Sequence, residues 1–156
     1  MMESGRSSIE NLLYRYAELI DSGDFNGIGE LFSHAVLTGE GSQEETRGAE
    51  AIARRYRATT RIYTDTGTPK TKHLITNLAI EVDEDAGSGL CRSCYTVFQR
   101  TDTLPLQPII SGRYHSRFER LNGVWRFARH HFLVDLVGDL SQHLLIDIEE
   151  AKSGRI

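Results

Sequence analysis

The stretch from Gln107 to Val137, QPIISGRYHSRFERLNGVWRFARHHFLVDLV, decides the fold. Two strand-forming runs, Gln107–Arg120 and Val124–Val137, flank Asn122-Gly123. Asn-Gly tolerates the positive φ angles of a tight hairpin turn, so the two runs are expected to pair as antiparallel neighbours. In the first run Ile110, Gly112, Tyr114, Ser116 and Phe118 share one face, while Arg113, His115, Arg117 and Glu119 share the other. That alternation marks a sheet covered by helices on one side only. The polar side is long enough to meet a partner subunit.

Outward from this hairpin, Thr71–Val82 and Leu90–Arg100 read as two further long strands, separated by the acid- and glycine-rich turn Asp83–Gly89. Thr101–Leu106, with Pro105, is a loop. The N-terminal half is helical. Ser7-Ser8-Ile9-Glu10 has the spacing of a capping box, and Ile9, Leu12, Leu13, Tyr16 and Ile20 form one apolar stripe. The helix is expected to stop at Asp21-Ser22-Gly23, with Asp24 capping a short second helix that carries Ile28, Leu31 and Phe32. A short strand at Ala35–Thr38 and a polar loop, Gly39–Thr46, lead to Gly48. There a third helix opens with Ala49, Ile52, Ala53 and Tyr56 on one face. It gives out before Gly67-Thr68-Pro69. Beyond the last strand, Ser141–Leu145 is a short helix or turn, and the charged tail 146–156 is expected to be disordered. Helices first and strands later predict an α+β fold, with the N-terminal helices packed on an antiparallel sheet.

The 156 residues suit one domain, 1–156, with a core of about 7–145. A net charge of −4 with scattered arginines excludes a nucleic-acid footprint. No apolar run approaches the roughly 18 residues of a membrane span, and Met1–Ser8 lacks the apolar segment of a secretory signal. The expected location is the cytoplasm. Cys91 and Cys94 spell C-x-x-C, but residues three apart on a strand face opposite ways, so two reduced thiols are expected. The histidines show neither H-x-H nor H-E-x-x-H spacing, and no metal is expected.

Tyr16-Ala17 through Asp21-Ser22-Gly23-Asp24-Phe25 to Leu31-Phe32 opens a wider pattern. It continues with Arg47-Gly48 before a helix, Lys72-His73, Gly112-Arg113-Tyr114-His115 and Asn122-Gly123-Val124-Trp125-Arg126-Phe127. Together these resemble the SnoaL-like domains of the nuclear transport factor 2-like superfamily. Its members include scytalone dehydratase, hexachlorocyclohexane dehydrochlorinase, polyketide cyclases and the small subunits of ring-hydroxylating dioxygenases. The resemblance runs over residues 7–145 and implies a strongly curved antiparallel sheet forming a cone around an internal pocket. It also implies a catalytic pair, with Asp21 at the end of the first helix and His73 at the start of the first long strand. Tyr114 and His130 fall at family pocket positions. Ile20 stands where the dehydratase has Tyr, and Thr96 or Val97 where it has a second His.

The chemistry of the pair is simple. Imidazole is the side chain best suited to proton transfer near neutrality, and a carboxylate on its far nitrogen fixes the tautomer. Asp21 and His73 equally suit a turn residue and a strand residue with no chemical role. Tyr14, Tyr16, Tyr56, Tyr95 and Tyr114 are sources of hydroxyls, whether for a pocket or at the edge of a core. Tyr16, Tyr56, Tyr114 and His130 are taken as substrate-binding. Arg113 and Arg129 suit a substrate anion or an outer-face ion pair, with the outer face expected for Arg113. His34 and His143 are expected at the surface. The function expected is a cofactor-independent lyase or isomerase, a dehydratase-type proton abstractor of a small apolar or cyclic carbonyl compound. The alternative is a non-catalytic ligand-binding or accessory subunit. A homo-oligomer, dimer or trimer, is expected in either case.

Overall fold

The computed structural model describes residues 4–153. The expectations for Met1–Glu3 and Gly154–Ile156 lie outside the described residues. Helix α1 spans Gly5–Ser22. Its cap is Ser4, whose side chain accepts from the Ser7 amide, so the helix begins ahead of the capping-box spacing read at Ser7. Ile9, Leu13, Tyr16 and Ile20 are buried as one stripe, and Gly23 at φ 75° ends the helix in the left-handed conformation. Asp24 then caps α2, Phe25–Leu31, by accepting from the Gly27 amide. Strand β1 is Val36–Gly39, β2 Thr46–Arg47 and α3 Ala49–Thr59. The four long strands are β3, Thr71–Asp83; β4, Ser88–Gln99; β5, Gln107–Leu121; and β6, Val124–Val137.

The strands form one open six-stranded sheet in the order β2-β1-β6-β5-β4-β3. The hairpin pairing read at Asn122-Gly123 is present, Leu121 opposite Val124 and Phe118 opposite Phe127. The sheet is mixed, which corrects the all-antiparallel expectation: β1 runs parallel to β6, with Leu37 opposite His130. β1 and β6 lie far apart in the chain and are joined by a crossover, so no local hairpin dictates their direction. The two-residue β2, which begins at the last residue of the stretch read as loop, pairs with β1.

Bulges change which side chains face inward. On β6, Trp125 and Phe127 are buried, and strict alternation would next bury Arg129. The register steps from Phe118–Phe127 to Arg117–Arg129, which leaves Ala128 as an extra residue. The phase flips there. His130 is fully buried, and Arg129 and His131 pass to the other side. A second step leaves Asp135 unpaired between Val134 and Leu136. Such insertions bend the strand and sharpen its twist, the local origin of sheet curvature.

The tail departs from its expectation of disorder. Asp147 caps α4, Ile148–Lys152, by accepting from the Glu149 and Glu150 amides. The preceding segment is pinned by a bridge between Thr60 and Leu144, and by bonds from Arg61 N–H to the His143 carbonyl (2.8 Å) and from Leu145 N–H to the Thr59 carbonyl (3.0 Å). No described helix is long and apolar enough to cross a membrane.

Candidate active site

The inner face of the sheet, α1, α3 and the C-terminal segment line a cavity of about 230 Å³. Tyr16, Tyr56, His73 and Tyr114 line it, as does Tyr95.

Asp21 sits in the last turn of α1, where the helix macrodipole disfavours an anion by ~0.3–1 kcal/mol. Three donors offset that cost. The Thr71 hydroxyl donates to Oδ1 at 2.9 Å, the His73 backbone N–H to Oδ2 at 2.8 Å, and the His73 Nδ1–H to Oδ1 at 2.6 Å. Because a carboxylate only accepts, Nδ1 carries the proton. In the neutral ring Nε2 then holds the lone pair. The carboxylate stands behind the ring rather than in the cavity lining, and both side chains are largely shielded from solvent, at 6% exposure for His73 and 14% for Asp21.

Three phenols share the cavity with His73. The Tyr56 hydroxyl donates to the Tyr16 oxygen at 3.0 Å. Tyr114 stacks on Tyr95, ring centroids 4.3 Å apart, and meets Tyr16 edge-on. Burial pushes the Tyr56 hydroxyl up to about 12, and burial with the neighbouring phenols raises Tyr16 and Tyr114 well above the ordinary phenol value. All three are therefore neutral hydroxyls, suited to hydrogen-bonding an oxygen. Gly112 makes room for the arrangement. A Cβ there would lie 2.0 Å from the Leu133 carbonyl oxygen and 2.7 Å from the Tyr95 hydroxyl, which itself donates to that carbonyl at 3.1 Å.

The resemblance implies that His130 lines the cavity; instead it stands behind this wall. Its Nδ1 bonds the Ser116 hydroxyl at 2.8 Å, and its ring packs against Tyr114, Phe132 and Phe32. Burial, with help from His131, pushes its pKa down to about 3, so it is a neutral core imidazole.

The sequence reading missed His143. Expected at the surface, it is buried and lines the cavity, its ring centroid 6.5 Å from that of His73. Burial first, and the neighbouring His73 second, pushes it down to about 4. No apolar periodicity marks Ser141–Leu145, and long-range hydrogen bonds place it. His34 is exposed, in line with its reading. Arg113 pairs with Asp135 on the outer face (2.8 Å), and Arg129 lies 3.5 Å from Glu45. Cys91 is buried and Cys94 half-buried, both free thiols. Among the described residues no group of three His, Cys, Asp or Glu is placed to hold a metal ion.

The family model of the SnoaL-like domain matches residues 4–131. A Mycobacterium tuberculosis protein of unknown function superimposes with a TM-score of 0.68 at 24% identity, over 96% of this chain and 82% of that one. A candidate scytalone dehydratase from Novosphingobium aromaticivorans superimposes with a TM-score of 0.66 at 18% identity, over 86% of each chain. The beta subunit of a candidate aromatic-ring-hydroxylating dioxygenase from the same organism gives 0.66 at 17%, over 84% of this chain and 89% of that one. At these identities the likeness is one of fold. Among curated proteins, none matches the sequence.

Proposed function

Because this chain belongs to the SnoaL-like domain family, whose fold hosts catalysts and non-catalysts alike, we propose from its site that it is a cofactor-independent lyase or isomerase. The observation that carries the reading is the 2.6 Å bond between Asp21 and the Nδ1 of a cavity-lining His73. His73 Nε2 is the general base and Asp21 the positioning carboxylate. In the dehydratase form, the base removes a proton from the carbon beside a carbonyl. The C–H electron pair becomes the new C=C bond as the C–O bond of a β-hydroxyl breaks. The departing hydroxide takes the proton back from Nε2 and leaves as water. In the isomerase form, the proton returns to a different carbon. Tyr16, Tyr56 and Tyr114 supply neutral hydroxyls to the polar end of the substrate.

The cavity is smaller than the ~300–1,000 Å³ that houses a drug-sized ligand, so the substrate is a small, mostly apolar molecule. The test is proton exchange. Cyclohexanone and a panel of β-hydroxy ketones are incubated with the protein in deuterated water and followed by NMR. The wild type should accelerate α-exchange or water loss, and His73→Gln should lower that rate roughly 100-fold or more. Equal rates in the two proteins would overturn the base, leaving the cavity as that of a binding module.

A further inference from the structure

The C-terminal segment lies beyond the part of the chain that the family model matches, yet it forms one end of the cavity through Leu140, His143, Leu144 and Ile148. His143 is its one imidazole. Packing alone does not account for this side chain. The segment is anchored by backbone, with His143 N–H donating to the Leu140 carbonyl (3.0 Å) and the His143 carbonyl accepting from Arg61 N–H (2.8 Å). Gln99 adds a side-chain bond to the Gln142 carbonyl at 3.0 Å. The His143 ring makes none of these bonds. Nδ1 is enclosed without a protein partner, and no described group bonds the other nitrogen. A buried polar ring whose hydrogen bonds are unmade costs stability, and this one faces the same cavity as the base.

We infer that His143 is the second substrate-contacting imidazole, donating a ring N–H to the carbonyl oxygen of an enolisable substrate while His73 takes the proton from the adjacent carbon. The inference rests on the reading of His73 as base and adds the group that stabilises the developing charge. When the C–H bond breaks, its proton goes to His73 Nε2 and its electron pair spreads to the oxygen, which becomes an enolate. A neutral N–H aimed at that oxygen stabilises it without surrendering the proton, as preorganised donors do at developing oxyanions. Burial keeps His143 neutral at ordinary pH, with a pKa near 4. It is therefore a donor rather than a cation that would oppose protonation of His73. The substrate class narrows to aldehydes, ketones or esters with an acidic α-hydrogen.

The test uses para-nitrophenol, whose phenolate is a planar, coloured stand-in for an enolate, and para-nitrotoluene, which has the same shape without the oxygen. Wild-type protein should bind the phenolate in preference to the neutral phenol. His143→Phe should weaken phenolate binding roughly ten- to hundredfold and leave para-nitrotoluene binding unchanged, and His143→Gln, which keeps an N–H donor, should recover most of the loss. Equal phenolate affinity in wild type and His143→Phe would overturn the inference. So would equal losses for both ligands, the mark of a merely structural residue, or the absence of saturable phenolate binding to the wild type. The reading of His73 fails separately. If cyclohexanone exchange does not depend on His73 but phenolate binding still depends on His143, the donor stands and the base does not.

Discussion

Asp21 holds His73 at two points, the ring Nδ1–H at 2.6 Å and the backbone N–H at 2.8 Å, so one carboxylate fixes both the tautomer and the strand that carries it. Asp21→Asn separates these roles. The amide oxygen can still accept from the backbone, but its NH2 presents a donor where Nδ1–H needs an acceptor. The ring is expected to switch tautomer or turn away. Nitrogen-15 NMR of the imidazole should show the Nε2–H form in place of Nδ1–H, and any His73-dependent turnover should fall ~100-fold or more. An unchanged tautomer would show that the carboxylate does not set it.

The two buried imidazoles make stability depend on acid. His130 and His143 are held down to about 3 and about 4, by burial above all. In the unfolded chain a histidine titrates near ~6.5. Between those values the unfolded state binds more protons than the folded one, so stability rises with pH across that interval. Their contribution is whole above the unfolded pKa and drains away as pH falls from about 6.5 toward 4 and then 3. Denaturant titrations at pH 7 and pH 4.5 should differ by roughly a few kcal/mol. His130→Phe should flatten the pH dependence, at the expense of the Ser116 hydroxyl's partner. A slope equal to that of the wild type would place the acid sensitivity elsewhere.

How far the sequence could be read follows the range of the forces involved. Val124–Val137 is legible as a strand because the tight turn at Asn122-Gly123 fixes its start and its pairing with the run before it. Asp21 and His73 are legible only through family resemblance, since nothing in their spacing brings the end of a helix to the start of a strand. The inward turn of His130 depends on the extra residue at Ala128, a register step against β5 that leaves no local signature. The parallel pairing of β1 with β6 and the docking of Ser141–Lys152 rest on contacts between residues far apart in the chain, such as Arg61 with His143. His143 was hidden for that reason. Its segment has no periodic apolar stripe of its own and is ordered by what it lands on.

Gly112 carries a prediction about the cavity wall. An added methyl would meet the Leu133 carbonyl oxygen at 2.0 Å, which is backbone and cannot swing aside, and would crowd the Tyr95 hydroxyl at 2.7 Å. Gly112→Ala should lower stability by roughly 1–3 kcal/mol, the usual cost of overpacking. It should also break the Tyr95–Leu133 hydrogen bond and disturb the Tyr95–Tyr114 stack. Thermal melts give the first effect, and tyrosine ring shifts in NMR the second. A melting temperature equal to that of the wild type would mean that β5 and β6 separate at this step more easily than their register implies.

The cysteines test the strand geometry directly. Cys91 lies in the core, where burial pushes its thiol up to about 11, while Cys94 lies three residues on and opposite Arg113 on the outer face. Side chains three apart on a strand point to opposite sides of the sheet, so a disulfide between them would have to break β4 out of its pairing with β3 and β5. Only the thiolate reacts with an alkylating agent, and a buried thiol with a raised pKa offers neither thiolate nor access. Native protein treated with iodoacetamide should therefore take up one adduct per chain, at Cys94, and unfolded protein two. Peptide mass spectrometry distinguishes the sites. Equal labelling of both cysteines in the native state, or an intramolecular disulfide formed under mild oxidation without loss of fold, would contradict the register of β4.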